Sequence, residues 1–248
     1  MVAIFVLVTI AVVAAQLAPR LADGRVIFDL TPDRPAPFGL KMAWLAIRTR
    51  DTARVVEVLG LIQPQACNWS SGIGTVYDDH LGENHVFVAP PISGWTFVVG
   101  LSLPYPVGRN FVDKCTPTLL DLGAEFIEVQ YFFSHPLIDF YAWARVIDGK
   151  LTRAFGIGDE GIIWNKGKPT KEEKALGLKL FELRGVRERK GDAGGELILY
   201  PTEEHVMRLA SRWSLDPTRL DTVAALPATG FICLAPTVWR PERLRKSA

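Results

Sequence analysis

The densest run of chemically capable side chains is Asp78, Asp79, His80, Glu83 and His85. Carboxylates and imidazoles together form a donor set for a divalent metal. The spacing speaks against a ready-made site, because His80 and His85 are five apart and share neither a helical face nor a strand face. With Gly82 and Asn84 between them, the stretch is expected to be a solvated hairpin loop. A second set, Glu125, Glu128, His135 and Asp139, surrounds an aromatic run. A carboxylate beside an imidazole is the pairing that general acid–base chemistry needs. His135 sits in the break Ser134-His135-Pro136, where a structural hydrogen bond is the expected role. His205 follows Glu203 and Glu204 at the start of a helix and reads as surface.

Motifs for nucleotide or nucleophile chemistry fall short. Gly72-Ile73-Gly74 has Tyr77 where a dinucleotide loop needs its third glycine, and a strand is expected after it rather than a helix. No GxxxxGK[ST] run occurs, and Pro91 replaces the first glycine of GxSxG around Ser93. The three cysteines, Cys67, Cys115 and Cys233, form no CxxC pair and no zinc-type spacing with histidine. They read as small buried hydrophobes. An exported chain has the alternative of one disulfide, Cys67 with Cys115, and one free thiol. No cofactor and no resident metal are expected.

Aromatic residues are more informative. Trp44, Trp69, Trp95, Tyr131, Phe132, Phe133, Phe140, Tyr141, Trp143 and Phe155 lie on or beside expected strands. Phe140, Tyr141 and Trp143 cannot share one strand face, since side chains alternate. Either both faces of the sheet are covered, or one face exposes an aromatic surface fit for a partner. On the second reading, Trp69, Trp95, Tyr141 and Trp143 are the anchor residues.

The elements that must position these residues follow from periodicity and turn chemistry. A strand over 43–49 leads to a helix capped by Asp51 and stopped by Gly60. Strands are expected at 74–77, 85–89 and 95–101. A boundary at 104–109 precedes a helix opened by Thr116-Pro117, then strands at 128–133, 140–147, 151–157 and 162–164. Asp148-Gly149 marks a tight hairpin. Helices follow at 171–183 and from Thr202, with an exposed loop at 185–195 between them. The fold class expected is α+β: two α/β-meander halves with antiparallel sheets and a C-terminal helix, preceded by an apolar N-terminal helix. The domain spans 41–235, with subdomains 41–105 and 106–235, and a loose tail at 236–248.

Composition sets the outer limits. The chain has 248 residues, 48% hydrophobic, so a sizeable core is available. The charges nearly cancel, with 28 Lys+Arg against 27 Asp+Glu, which disfavours nucleic acid as a partner. Val2 to Ala15 is apolar except for Thr9 and suits a signal-peptide core, though no basic residue precedes it. Residues 1–22 therefore read as a signal peptide or a membrane anchor, with membrane contact through residues 2–18. As an anchor, Arg20 and Arg25 on the C-terminal side would hold the body in the cytoplasm. A third reading starts translation at Met42. Residues 23–40, including the Pro-rich run 29–37, read as a linker.

Several phrases occur together: WLAIRTRDTARVVEVLGL (44–61), CNWSSGI (67–73), VFVAPPISGWTFVVG (86–100), EVQYFFSHP (128–136), YAWARVIDGKLTRAFGI (141–157) and WSLDPT (213–218). In these the chain resembles a widespread group of uncharacterised bacterial proteins over about residues 43–218. The group is similar in type to small accessory and immunity proteins that accompany toxins, and the resemblance implies no catalytic residue. The opening AWLAIRT with a helix ending in LGL is also similar to vicinal-oxygen-chelate domains, but the His/Glu ligands those carry on both halves do not appear. Two functions are weighed. The first is a non-enzymatic factor that occludes a protein partner such as a toxin. The second is a hydrolase or metal-dependent enzyme using His80 and His85, or His135, with nearby carboxylates.

Overall fold

The computed structural model describes residues 26–159, 161–177 and 201–244. Within them the chain is α+β, with one antiparallel sheet of nine strands and helices on both of its faces. In chain order the elements are β1 (Met42–Ile47), α1 (Thr52–Val58), β2 (Ile62–Asn68), α2 (Trp69–Tyr77), β3 (His85–Val88) and β4 (Thr96–Val99). Then come α3 (Cys115–Glu125), β5 (Glu128–His135), β6 (Phe140–Ile147), β7 (Lys150–Gly158), β8 (Gly161–Lys166), α4 (Lys171–Ala175), α5 (Glu203–Trp213) and β9 (Thr229–Leu234).

The strand order is β2-β9-β3-β4-β1-β5-β6-β7-β8. The two expected meanders therefore join through β1, which pairs with both β4 and β5; Trp44 lies opposite Val99 on one side and Phe132 on the other. A six-residue strand buried at every position would leave unpaired N–H and C=O groups if it stood at a sheet edge, and the fused arrangement pairs both its sides. The Asp148-Gly149 turn forms as expected, with φ of 48° and 72° at its two positions.

Both faces of the sheet are covered. Trp44, Phe97, Phe132, Tyr141, Trp143 and Phe155 face α2 and α5. Leu45, Val98, Tyr131, Phe133, Phe140 and Val146 face α1 and α3. Alternation along β6 thus sends Phe140 to one core and Tyr141 and Trp143 to the other.

One buried ion pair joins α4 to this scaffold. Arg153 Nε donates to both Glu173 carboxylate oxygens at 2.8 and 3.0 Å, and Trp143 Nε1 donates to Oε1 at 2.8 Å. Thr170 and Glu173 complete a capping box at the start of α4.

Several expectations are corrected. Residues 74–77 are helical within α2, not a strand. Asn68 Oδ1 accepts from Ser71 N at 2.9 Å, and the distant Asp33 carboxylate accepts from Trp69 N at 2.7 Å and Ser70 N at 2.9 Å. These acceptors satisfy the free amides of the helix start. Gly72 lets the helix lie against β3, because a Cβ there would overlap the Phe87 ring. The Gly-Ile-Gly run is thus a packing feature.

Strands β2 and β9 were not anticipated; β9 inserts between β2 and β3. The segment expected as a linker is packed from Phe28 onward: Asp29 O accepts from Asn68 N at 2.8 Å, Phe38 is buried, and its N–H donates to Pro217 O at 2.9 Å. The tail is held as far as Leu244, whose N–H donates to Asn110 O at 2.9 Å, and Trp239 is buried.

The Cys67–Cys115 pairing does not occur, and all three thiols are free and buried. Cys67 belongs to the core on one face of the sheet and Cys115 to the core on the other, so the sheet itself separates them. Burial pushes the Cys67 and Cys233 thiols up to about 12, which keeps them protonated and unreactive. The apolar N-terminus, the end of the helix expected at 171–183 with Leu180 and Leu183, and the 185–195 loop lie outside the described residues. Among the described residues, no helix is long and apolar enough to cross a membrane.

Candidate binding groove

A groove of about 890 Å³ opens where the end of α2 and the α2–β3 loop approach the start of β1 and the end of β5. Its volume falls in the range typical of ligand sites, roughly 300–1,000 Å³. Five separate stretches of chain supply its walls. Tyr77, Asp78, Asp79 and Glu83 come from the α2 end and the following loop. Lys41 and Met42 come from the entry to β1, Leu101 from beyond β4, His135 and Leu137 from the β5–β6 connection, and Arg240 from the C-terminal segment.

The acidic loop is a built structure. Asp78 Oδ1 accepts from His80 N and Leu81 N, both at 2.9 Å, and these bonds hold its carboxyl below the usual range. Gly82 N donates to Asp78 O at 2.9 Å, and a Cβ at Gly82 would meet Asp78 O and Val76 O at 2.7 Å. Only glycine allows the chain to fold back so closely, which leaves Asp79 and Glu83 exposed at the groove wall.

Tyr77 ties the opposite wall together. Its hydroxyl accepts from Gly39 N at 3.1 Å and donates to Leu40 O at 2.9 Å. Burial, with a contribution from the Glu203 charge, raises its pKa. Glu203 Oε2 in turn accepts from Lys41 N and Ser134 Oγ, both at 3.1 Å. These bonds fix the backbone beside Lys41 and His135. His135 is half-buried, and its Nδ1 is sealed from solvent with no hydrogen-bond partner among the described residues.

The candidate residues from the sequence divide as follows. Glu83 and His135, far apart in the chain, line the same groove together with Asp78 and Asp79. His80 is exposed beside it, and His85 turns away, with Nδ1 2.7 Å from Leu81 O. Glu125 pairs with Arg54 at 2.8 Å, and Glu128 with Arg145 at 2.7 Å. Glu128 and His135 occupy opposite ends of β5, so these two do not meet. Among the described residues, no three His, Cys, Asp or Glu side chains are placed to hold a metal ion.

The four aromatic anchors are all buried. Trp69 packs edge-on against Phe87 with ring centroids 5.5 Å apart, and the Arg48 guanidinium lies 5.1 Å from the Trp95 ring centroid. Tyr141 is 8% exposed and Trp143 fully enclosed. They make core contacts and form no common exposed patch.

The exposed apolar groups are instead residues that the sequence did not single out. Leu137 is 75% exposed, Leu101 38% and Tyr77 41%. Isolated leucines carry no sequence pattern, and their grouping depends on chain segments running from Lys41 to Arg240.

Comparison with protein-family models, with curated proteins and with solved structures finds no match.

Proposed function

We propose that this chain is a non-enzymatic protein-binding factor of the immunity or accessory type, acting by occluding a protein partner such as a toxin across the groove. The observation that carries this reading is the set of exposed apolar side chains, Leu101 and Leu137 with the Tyr77 ring, placed among Lys41, Asp79, Glu83 and Arg240. Apolar contacts ringed by charge are the anatomy of a protein interface. The site is thus moved from the aromatic anchors to these residues. The acidic α2–β3 loop would face basic residues on the partner.

Native co-purification tests the reading. A stoichiometric partner is expected, lost in Leu137→Asp and Leu101→Asp variants that keep the parental Tm. A partner-free monomer from the native source would count against it, as would variants that keep the partner.

A second reading, a hydrolase or metal-dependent enzyme, keeps one specific support: Glu83 and His135 line one groove. A carboxylate and an imidazole across a cleft could share proton transfer to a bound substrate. Turnover of ester or amide probes that falls in both Glu83→Gln and His135→Gln would favour it over occlusion.

The location proposed is export or membrane anchoring through residues 1–22, with the body otherwise free of lipid. Intact mass from the native host separates the two, since loss of about 15 residues marks cleavage.

A further inference from the structure

We propose that a second cleft, between the 105–111 segment and the ends of β6, β7 and β8, binds a neutral single-ring aromatic molecule carrying a hydrogen-bonding substituent. The cleft holds about 160 Å³ and shares no lining residue with the groove. A space of about 150 Å³ with apolar walls accepts benzene, so one ring is the fitting size.

Its walls are Tyr105, Phe111 and Phe140, completed by Pro106, Ile163 and Pro241. The Tyr105 and Phe140 rings stand 6.0 Å apart at 82°, and Phe133 packs behind both, at 5.9 and 4.9 Å. A ligand ring would meet one wall face-on and the other edge-on, two favoured aromatic geometries. The cleft is held open by rigid neighbours. Val112 N donates to Glu242 O at 2.8 Å and Leu244 N to Asn110 O at 2.9 Å, which fixes the outer wall. Pro106, Gly108 and Pro241 have no long side chain able to collapse into the space.

Two groups supply polarity. The Asn110 side chain and the Tyr105 hydroxyl make no hydrogen bond among the described residues, and both residues are accessible to solvent. A phenolic hydroxyl or an aryl amine could use either. A cation fits less well. Arg243 already lies 5.6 Å from the Phe111 ring centroid and fills the role a ligand cation would take there.

The test uses the full chain, with phenol, indole and tetramethylammonium as probes, followed by thermal shift and ligand-detected NMR. Phenol should raise Tm saturably, with a Kd of about 1 mM or tighter, and tetramethylammonium should not. Val107→Trp, filling the cleft from its wall, should weaken phenol about tenfold or more at unchanged Tm. Ile163→Ala enlarges the cleft and should raise the preference for indole over phenol by about tenfold. If Val107→Trp does not fold, the Ile163→Ala ratio decides. The proposal is overturned by any of three results: no saturable response to phenol, tighter binding of tetramethylammonium, or an indole-to-phenol ratio that ignores Ile163→Ala.

Discussion

Arg153 carries a full charge at 1% exposure, and its only ionic partner among the described residues is Glu173, at 0%. Such a pair contributes little net stability, because two ions must leave water, yet losing one partner strands the other. Arg153→Met or Glu173→Leu alone should therefore cost about 3–5 kcal/mol, and the double variant less than the worse single. Denaturant unfolding of the four proteins checks this; simple additivity would refute the coupling.

A second residue ties stability to pH. His205 Nδ1 accepts from Thr202 N at 3.1 Å at the start of α5, and burial, helped by Arg208 and opposed by Glu204, lowers its pKa from the ordinary 6.5. Between the lowered value and 6.5 the unfolded chain binds a proton that the folded chain does not. The contribution is complete above pH 6.5, falls as pH drops through that window, and levels off below the folded value. His205→Gln keeps an N3 acceptor without titration, so its Tm should vary less between about pH 7 and pH 5. A pH–Tm curve parallel to the parent's would remove His205 from the account.

At the scale of elements, α2 depends on contacts made at a distance. Its sequence, WSSGIGTVY, holds two glycines and β-branched residues and has little helical preference of its own. The Asp33 carboxylate, from a segment expected as linker, supplies acceptors for its first two amides. Asp33→Ala should cost about 1–2 kcal/mol, and Gly72→Ala about 1–3 kcal/mol through the overlap with Phe87. Equilibrium unfolding measures both; an Asp33→Ala protein of parental stability would show that the cap is dispensable.

The same dependence explains what the sequence could show. Locally determined elements were legible: the Asp148-Gly149 hairpin, the alternating strands β5 to β7, and the helix at Thr116-Pro117, although α3 begins at Cys115 and Pro117 is its third residue rather than its first. Strand β2 was hidden because Pro64 and exposed polar residues break its pattern, as suits a sheet edge. Strand β9 was hidden because its pairing with β2 and β3 is entirely long-range. The groove was half legible. Its acidic loop stands out in the sequence, whereas Leu101, Leu137 and Arg240 join that loop only in the fold.

At the scale of the whole molecule, the segment before β1 acts as a strap across one face. Phe38 packs edge-on against Trp44 and Phe97 at 6.0 and 5.5 Å. Asp33 bridges to Ala228, Gly39 N donates to the Tyr77 hydroxyl, and Lys41 N to Glu203. The strap thus touches α2, α5, the Pro217 turn and the approach to β9, elements otherwise distant in the chain. A protein beginning at Met42 would lack every one of these contacts and would expose the aromatic core beneath Phe38. Removing a buried phenylalanine alone costs about 3–5 kcal/mol, a large part of the roughly 5–15 kcal/mol that holds a domain folded. The Met42 chain is therefore expected to aggregate or to melt well below the parent, with Phe38→Ala intermediate between them. The groove should suffer with it, because Tyr77 and Glu203 lose the backbone groups they hold at its wall. Thermal unfolding of the three proteins in parallel decides the matter. A Met42 chain with parental Tm would make residues 26–41 dispensable for stability.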